Sequence, residues 1–208
     1  MMMRRRMQAI RHLAAADARL AGVIKAVGGY TINTVEGEPF RSLVEAIMYQ
    51  QLTGSAADAI HRRFMALYKN RFPAPARLLS TPTEKLRSVG LSGRKVEYIR
   101  DLASRVESEQ LDLDGLAKMG DERVIEQLTE VRGIGRWTAE MFLIFCLGRP
   151  DVLPVGDLGL RKAMQKTYSL RALPLPQRME KIAQPWRPYR SVATWYMWKS
   201  LEKFKSIG

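Results

Sequence analysis

Cysteine occurs once in the 208 residues, at Cys146, and histidine only at His12 and His61. One thiol closes no internal disulfide and supplies neither a Cys-ligated zinc site nor a four-cysteine iron–sulfur cluster. Two histidines leave no room for a histidine-rich metal site. Long apolar runs are missing as well: Met141 to Leu147 is the longest, far too short to span a bilayer. Acidic residues are scarce, 21 against 34 Lys and Arg, so the formal net charge is +13 and the pI ≈ 10.2. Such an excess calls for a polyanionic partner, and nucleic acid is the first candidate. The composition, 46% hydrophobic and 26% charged, is that of a globular protein and excludes a disordered basic tail. The length allows one sizeable domain or two small lobes sharing a cleft.

What is present reads as helices with short punctuation. After Met1 to Arg6, a frayed start, a helix is expected from about Met7 to Val27, stopped by Gly28-Gly29. Asp17, Arg19 and Lys25 interrupt any apolar core of a signal peptide, and a transit peptide is the lesser alternative. Phe40, Leu43, Val44, Ile47, Met48 and Gln51-Leu52 follow the spacing of one buried helical face. Ser55 to Asp58 fits a capping box opening a helix through about Tyr68, and Phe72 to Ala76 reads as a loop. Thr81 to Glu84 is a helix start with Pro82 at the first position; Val96, Ile99, Leu102, Ala103 and Val106 mark another helix after Gly93. Asp121 is expected to cap the segment carrying Val124, Ile125 and Leu128. Leu173 to Pro176 is a break, and an aromatic helix runs from about Pro188 to Phe204. Neither strand alternation nor a fixed repeat is visible, so the fold class is all-α.

The most informative stretch is Leu128 to Ala139, where Gly133 and Gly135 bracket Ile134 between apolar helical segments. Glycines so spaced allow a sharp turn and close approach of another backbone. A helix beginning at about Arg136 to Thr138 would point its free N–H groups and positive dipole end at the turn, which suits one phosphate without reading a base. A plain corner whose glycines only relieve strain is the competing reading.

These residues, with Leu153-Pro-Val-Gly-Asp157 downstream, make the chain resemble the helix-hairpin-helix DNA glycosylases, whose signature is a hairpin, a Gly/Pro-rich loop and an aspartate. Within that superfamily it is similar to the alkylbase branch, the type II 3-methyladenine DNA glycosylases. Tyr49 to Thr53, Gly133 to Ala139, and Trp186 to Ser191 leading into Trp198 carry that likeness, which covers about Asp17 to Leu201. The resemblance implies two helical lobes with a DNA-binding cleft between them: 39–150 with the hairpin, and 1–38 joined to 151–208. It implies excision of alkylated purines from double-stranded DNA, with Asp157 as the catalytic carboxylate. Such a carboxylate stabilises positive charge developing on the deoxyribose and orients or deprotonates water. As an N-cap of the next helix, Asp157 would have a second and compatible role.

Bifunctional members place a lysine where Trp137 stands, so the resemblance implies a hydrolase without strand-nicking activity. Trp137, Met141 and Trp198 correspond to the base pocket, where stacking and cation–π contact suit an alkylated purine. The branch tends to have an aromatic at the place of Met141 and a second acid at that of Gly156. Core packing is the expected role of Trp195 and Phe204. Gln51 and Leu52 are candidates to fill the stack left by an extruded base, although Leu52 fits equally well as the end of the buried stripe. No cofactor is implied beyond a structural sodium or potassium ion held by the carbonyls of Thr129, Val131 and Ile134.

Gly133, Gly135, Arg132, Arg136, Thr138 and Arg161, with Lys162, would line the DNA strand. Arg187 and Arg190 would do likewise or cap helices, while Arg62-Arg63, Arg94-Lys95 and Arg4 to Arg6 are expected as solvated surface. A monomer is the default, since no heptad pattern appears. A cytoplasmic, nucleoid-associated setting in a prokaryote or a nuclear one in a eukaryote would follow from such a role. A glycosylase for deaminated or mismatched bases, a non-catalytic hairpin module that tethers a partner to DNA, and an architectural DNA-binding protein are the alternatives.

Overall fold

Asp17 divides the N-terminal helical stretch in two. In the computed structural model, which describes residues 2–32, 38–52 and 54–205 and the side chains among them from 6 to 202, α1 (Met2–Ala16) stops just before it. Helix α2 (Ala18–Val27) starts just after, so the single helix expected over Met7 to Val27 is two. The cause is local: Asp17 is extended, and its Oδ1 accepts the Arg19 and Leu20 N–H groups at 3.0 Å as an N-cap. Its Oδ2 accepts the Tyr168 hydroxyl and, at 3.0 Å, the Trp186 indole N–H. Burial alone would raise this carboxyl's pKa; the bonds from Trp186, Tyr168, Leu20 and Arg19 outweigh it and hold the pKa below 3.8. Gly28, at φ 87°, ends α2 as expected. Thr53 and the side chains of Arg4, Arg5 and Phe204 lie outside the described residues.

The chain forms two units, Met1–Thr34 with Gly148–Gly208, and Val35–Leu147. The boundaries fall at 34/35 and 147/148 rather than 38/39 and 150/151. At the second boundary the Leu147 N–H still bonds Phe142, and Gly148, at φ 62°, bends the chain just beyond. In the first unit α12 (Arg190–Lys205) packs on α2 and on α10 (Leu158–Thr167). Helix α11 (Pro176–Ala183) follows the Leu173 to Pro176 break. Leu13, Leu20, Met164, Trp186 and Tyr196 are fully buried there.

The second unit holds α3 (Pro39–Tyr49), α4 (Gly54–Leu67), α5 (Pro75–Leu79), α6 (Thr83–Ser88), α7 (Gly93–Glu107), α8 (Asp121–Thr129) and α9 (Arg136–Phe145). Leu43, Val44, Ile47 and Met48 bury the expected face of α3, and Phe64, Ile99, Leu102, Leu128 and Leu143 complete the centre. Each such side chain contributes roughly 1.5–3 kcal/mol by leaving water. Among the described residues all regular structure is helical, in agreement with the all-α reading.

Several helix starts differ from the sequence reading. Ser55 lies inside α4, and Asp58 accepts the Tyr49 hydroxyl at 2.6 Å instead of closing a capping box. Pro75 opens α5 within the stretch expected as loop, its fixed φ suiting a first helical position. Pro82 precedes α6 as N-cap, Gly120 rather than Asp121 is the N-cap of α8, and α12 starts at Arg190 rather than Pro188. No helix among the described residues is long and apolar enough to cross a membrane.

Candidate active site

The Gly133 turn is built around a tyrosine ring. A Cβ at Gly133 would lie 2.1 Å from Tyr98 Cδ2 of α7, and the residue has φ 82°, so only glycine fits. Gly135 differs: a Cβ there would meet nothing within 4 Å, leaving open space where a second backbone can approach. Val131 and Ile134 are buried beneath the turn, and the Ile134 N–H bonds the Val131 carbonyl at 3.1 Å. With Gly135 as N-cap, α9 starts where the sequence indicates, and its first amides have no carbonyl partner within the helix.

A second turn is latched to this one. After α3 ends at Tyr49, Gln51 adopts φ 58°, and both Gln51 and Leu52 are exposed. Leu52 therefore does not end the buried stripe. Lys95 Nζ donates at 2.7 Å to the carbonyls of both Met48 and Gln50, and Gln50 Nε2 donates at 2.8 Å to the Gly133 carbonyl. Burial lowers the Lys95 pKa. Lys95 is thus a strut rather than the solvated surface residue expected, because its long side chain reaches helix-end carbonyls that need donors. Arg63 is exposed as expected, and its Nε also donates to the Val89 carbonyl at 2.8 Å.

On α9, Trp137 stands 47% exposed on the first turn while Ala139, Leu143 and Ile144 are buried, an exposure that packing does not explain. Met141 lines a cavity of ≈ 440 Å³ with Phe142 and Phe145, facing Glu45, Tyr49 and His61. Thr138 also borders it and is 6% exposed, so its backbone rather than its side chain is suited to a phosphate.

In the first unit, α12 holds both ends of the loop that carries Asp157. At the loop's start the Arg190 guanidinium donates to Asp151 at 2.7 and 3.0 Å. Ser191 Oγ accepts the Val152 N–H at 2.9 Å and donates to the Arg149 carbonyl at 2.7 Å. At its end Asp157 caps α10: Oδ1 accepts the Leu160 N–H at 2.5 Å and the Trp198 indole N–H at 2.8 Å. A Cβ on Gly159 would sit 3.1 Å from that same oxygen, so the missing side chain keeps the carboxylate's place clear. Trp198 is half-buried, whereas Trp195 is buried as expected of core.

The candidate cations are unequal. Arg136 forms a fork on Glu122 at 2.7 and 3.0 Å and reaches Glu140 at 3.2 Å. Its hydrogen bond to Glu122 and the ion pair hold the Glu122 pKa below its usual value. Arg132 gives its backbone N–H to Asp101 at 2.9 Å, and Arg161 Nε donates to the Pro174 carbonyl at 3.1 Å. Arg187 and Arg190 are committed to Asp151. Lys95, Tyr98, Gln50 and Gly159 went unnoticed in the sequence as supports of the turns and the carboxylate. Only the proximity of Gln50 to a helix end offered any signal.

A helical hairpin followed by a loop and a capping aspartate defines a class of DNA repair proteins. The model of the HhH-GPD superfamily base excision DNA repair proteins matches residues 44–188, and the chain belongs to that family. It is 35% identical over 193 residues to DNA-3-methyladenine glycosylase 1 of Schizosaccharomyces pombe, covering 91% of this chain and 85% of that one. The solved 3-methyladenine DNA glycosylase of the same yeast, in complex with abasic DNA, superposes with TM-score 0.85 at 33% identity, over 94% of this chain and 97% of that one. A DNA-3-methyladenine glycosidase from Bacillus halodurans also gives TM-score 0.85, at 39% identity, over 95% of this chain and 91% of that one.

Proposed function

We propose that this protein hydrolyses the N-glycosidic bond of alkylated purines such as 3-methyladenine and 7-methylguanine in double-stranded DNA, leaving the strand intact at an abasic site. The observation that carries the reading is the Asp157 carboxylate, oriented by Leu160 and Trp198 on a loop that α12 holds at both ends. The names of the yeast and Bacillus relatives support the substrate class.

In this reading the C1′–N bond breaks with its electron pair going to the base, which leaves neutral because alkylation had made it cationic. Positive charge grows on the deoxyribose and Asp157 stabilises it, a preorganised interaction worth roughly 2.7–4 kcal/mol by analogy with other such sites. Water adds its oxygen to C1′, and its proton passes to Asp157 or to solvent. Trp137, Met141 and Trp198 hold the extruded base by stacking and cation–π attraction. Gln51 and Leu52, exposed on their turn, take its place in the stack. The amides around Gly133, Gly135 and Thr138 bind one phosphate, with Arg132, Arg136 and Arg161 adding non-specific attraction.

Carbonyls at Thr129, Val131 and Ile134 fit a sodium or potassium ion in donor type, all being neutral oxygens. Thr129, as the last residue of α8, has a carbonyl without an intrahelical partner. A bound cation would supply positive charge near the phosphate. With Trp137 where a nucleophilic lysine would act, no Schiff base forms.

The test is base release from duplexes holding 3-methyladenine, 7-methylguanine, hypoxanthine or uracil, with strand scission scored before and after alkali. Release of the methylated bases with scission only after alkali is the expected result. Nicking without alkali would overturn the hydrolase assignment, and tight duplex binding without any release would favour a tether.

A further inference from the structure

The cavity beside Met141 has two unlike walls. Met141 and Phe145 of α9 present a thioether and a ring, while Glu45, Tyr49 and His61 present polar groups from α3 and α4. Its ≈ 440 Å³ falls in the range of small-molecule sites, roughly 300–1,000 Å³. Glu45 Oε1 accepts Arg41 Nε at 2.8 Å and bonds His61 Nε2 at 2.9 Å. Both bonds land on that one oxygen, and Oε2 takes part in neither. Arg41 is also shared with Glu38 at 2.9 Å, so one guanidinium serves two carboxylates. The Glu38, Arg41 and Glu45 side chains together carry a net negative charge in a chain whose total is +13.

We infer that Glu45 is a specificity-determining residue, its Oε2 accepting the exocyclic amino group of a cationic alkylated purine held against Met141. This rests on the reading that the Met141 cavity receives the extruded base. Methylated adenine and guanine each bring a positive ring and an amino donor. Hypoxanthine is uncharged and has no exocyclic amino group, so it offers the carboxylate neither the ion attraction nor that hydrogen bond. Discrimination of this kind arises when only one competitor satisfies a polar group held in the site, and Glu45 is half-buried there. The pairing with Arg41 and His61 fixes the carboxylate's rotamer, so little ordering remains when a base arrives.

Glu45→Gln keeps shape and removes charge, while Glu45→Asp keeps charge. Single-turnover release from 7-methylguanine and hypoxanthine duplexes is measured at several protein concentrations, with affinity for an abasic duplex as the control that no base contact enters. The expected result for Glu45→Gln is about a tenfold loss of efficiency on 7-methylguanine, the worth of one charge-assisted hydrogen bond. Abasic affinity is unchanged and hypoxanthine release does not fall. Glu45→Asp retains most of the 7-methylguanine efficiency. Should Glu45→Gln not fold, Glu45→Ala replaces it with the same expected outcome. Full efficiency in the charge-removing variant, an equal loss in Glu45→Asp, or a parallel fall on hypoxanthine overturns the inference. A wild-type protein that releases no 7-methylguanine, by contrast, defeats the underlying reading.

Discussion

The Trp198 indole N–H donates to Asp157 Oδ1 at 2.8 Å, on the oxygen that also caps α10 through Leu160. A side chain expected to grip the base therefore also steers the carboxylate. The bond fixes the Asp157 rotamer from α12, and Gly159 leaves room for it.

Separating the two residues by mutation should give unequal losses. Asp157→Asn keeps an oxygen for Leu160 but removes the charge, and base release should fall by about 100-fold or more. Trp198→Phe keeps a ring and loses the indole bond, so an intermediate loss of about tenfold is expected. Single-turnover base release checks both. Abasic-duplex affinity should stay near wild type in each, and an Asp157→Asn protein with full activity would remove the proposed catalyst.

The two hairpin glycines should respond differently to alanine. Gly133→Ala forces a methyl into the Tyr98 ring at a left-handed backbone position, costing about 1–3 kcal/mol of stability together with DNA affinity. Gly135→Ala meets no atom of the protein, so its unfolding midpoint should stay within about 0.5 kcal/mol of wild type while duplex affinity drops. Chemical denaturation and fluorescence anisotropy, run in parallel, distinguish the two.

Binding should weaken steeply with salt, and the arginines should not contribute equally. Arg132→Ala is expected to lower the slope of log K against log salt by about one, the signature of a lost phosphate contact. Arg136→Ala should change it less, because Glu122 and Glu140 already balance that charge. An equal or larger change for Arg136→Ala would show that the Glu122 pair opens on DNA.

Acid stability should depend on Asp17. Its pKa is held below 3.8 in the folded protein, so its contribution is fully present above that value and is lost as pH falls through the depressed one. Asp17→Ala should cost about 2 kcal/mol at neutral pH, from the lost cap and the bonds of Tyr168 and Trp186. The difference from wild type should shrink on acidification. Thermal unfolding from pH 7 to pH 2 checks the sign, and a gap that widens in acid would contradict it.

The helical class, the buried face of α3 and the start of α9 were legible because apolar spacing and glycine punctuation are local signals. Asp157 as a cap was legible for the same reason. The break at Asp17 was missed although its cap is local, since the apolar spacing runs on across it; the Tyr168 and Trp186 bonds to its other oxygen come from far along the chain and leave no local mark. Lys95 was misread as solvated surface because its partners are backbone carbonyls at the end of another helix, which leave no mark on side-chain patterns. Tyr98 under Gly133 and Glu45 in its cavity escaped notice too, being contacts between distant segments.

Through Lys95 and Gln50, the tip bearing Leu52 and the bend at Gly133 are tied into one rigid piece. A push on that tip travels straight to the bend instead of being absorbed by slack chain. Probing a duplex and gripping its rail would then be a single mechanical act, so that severing the Lys95 strut would loosen both at once.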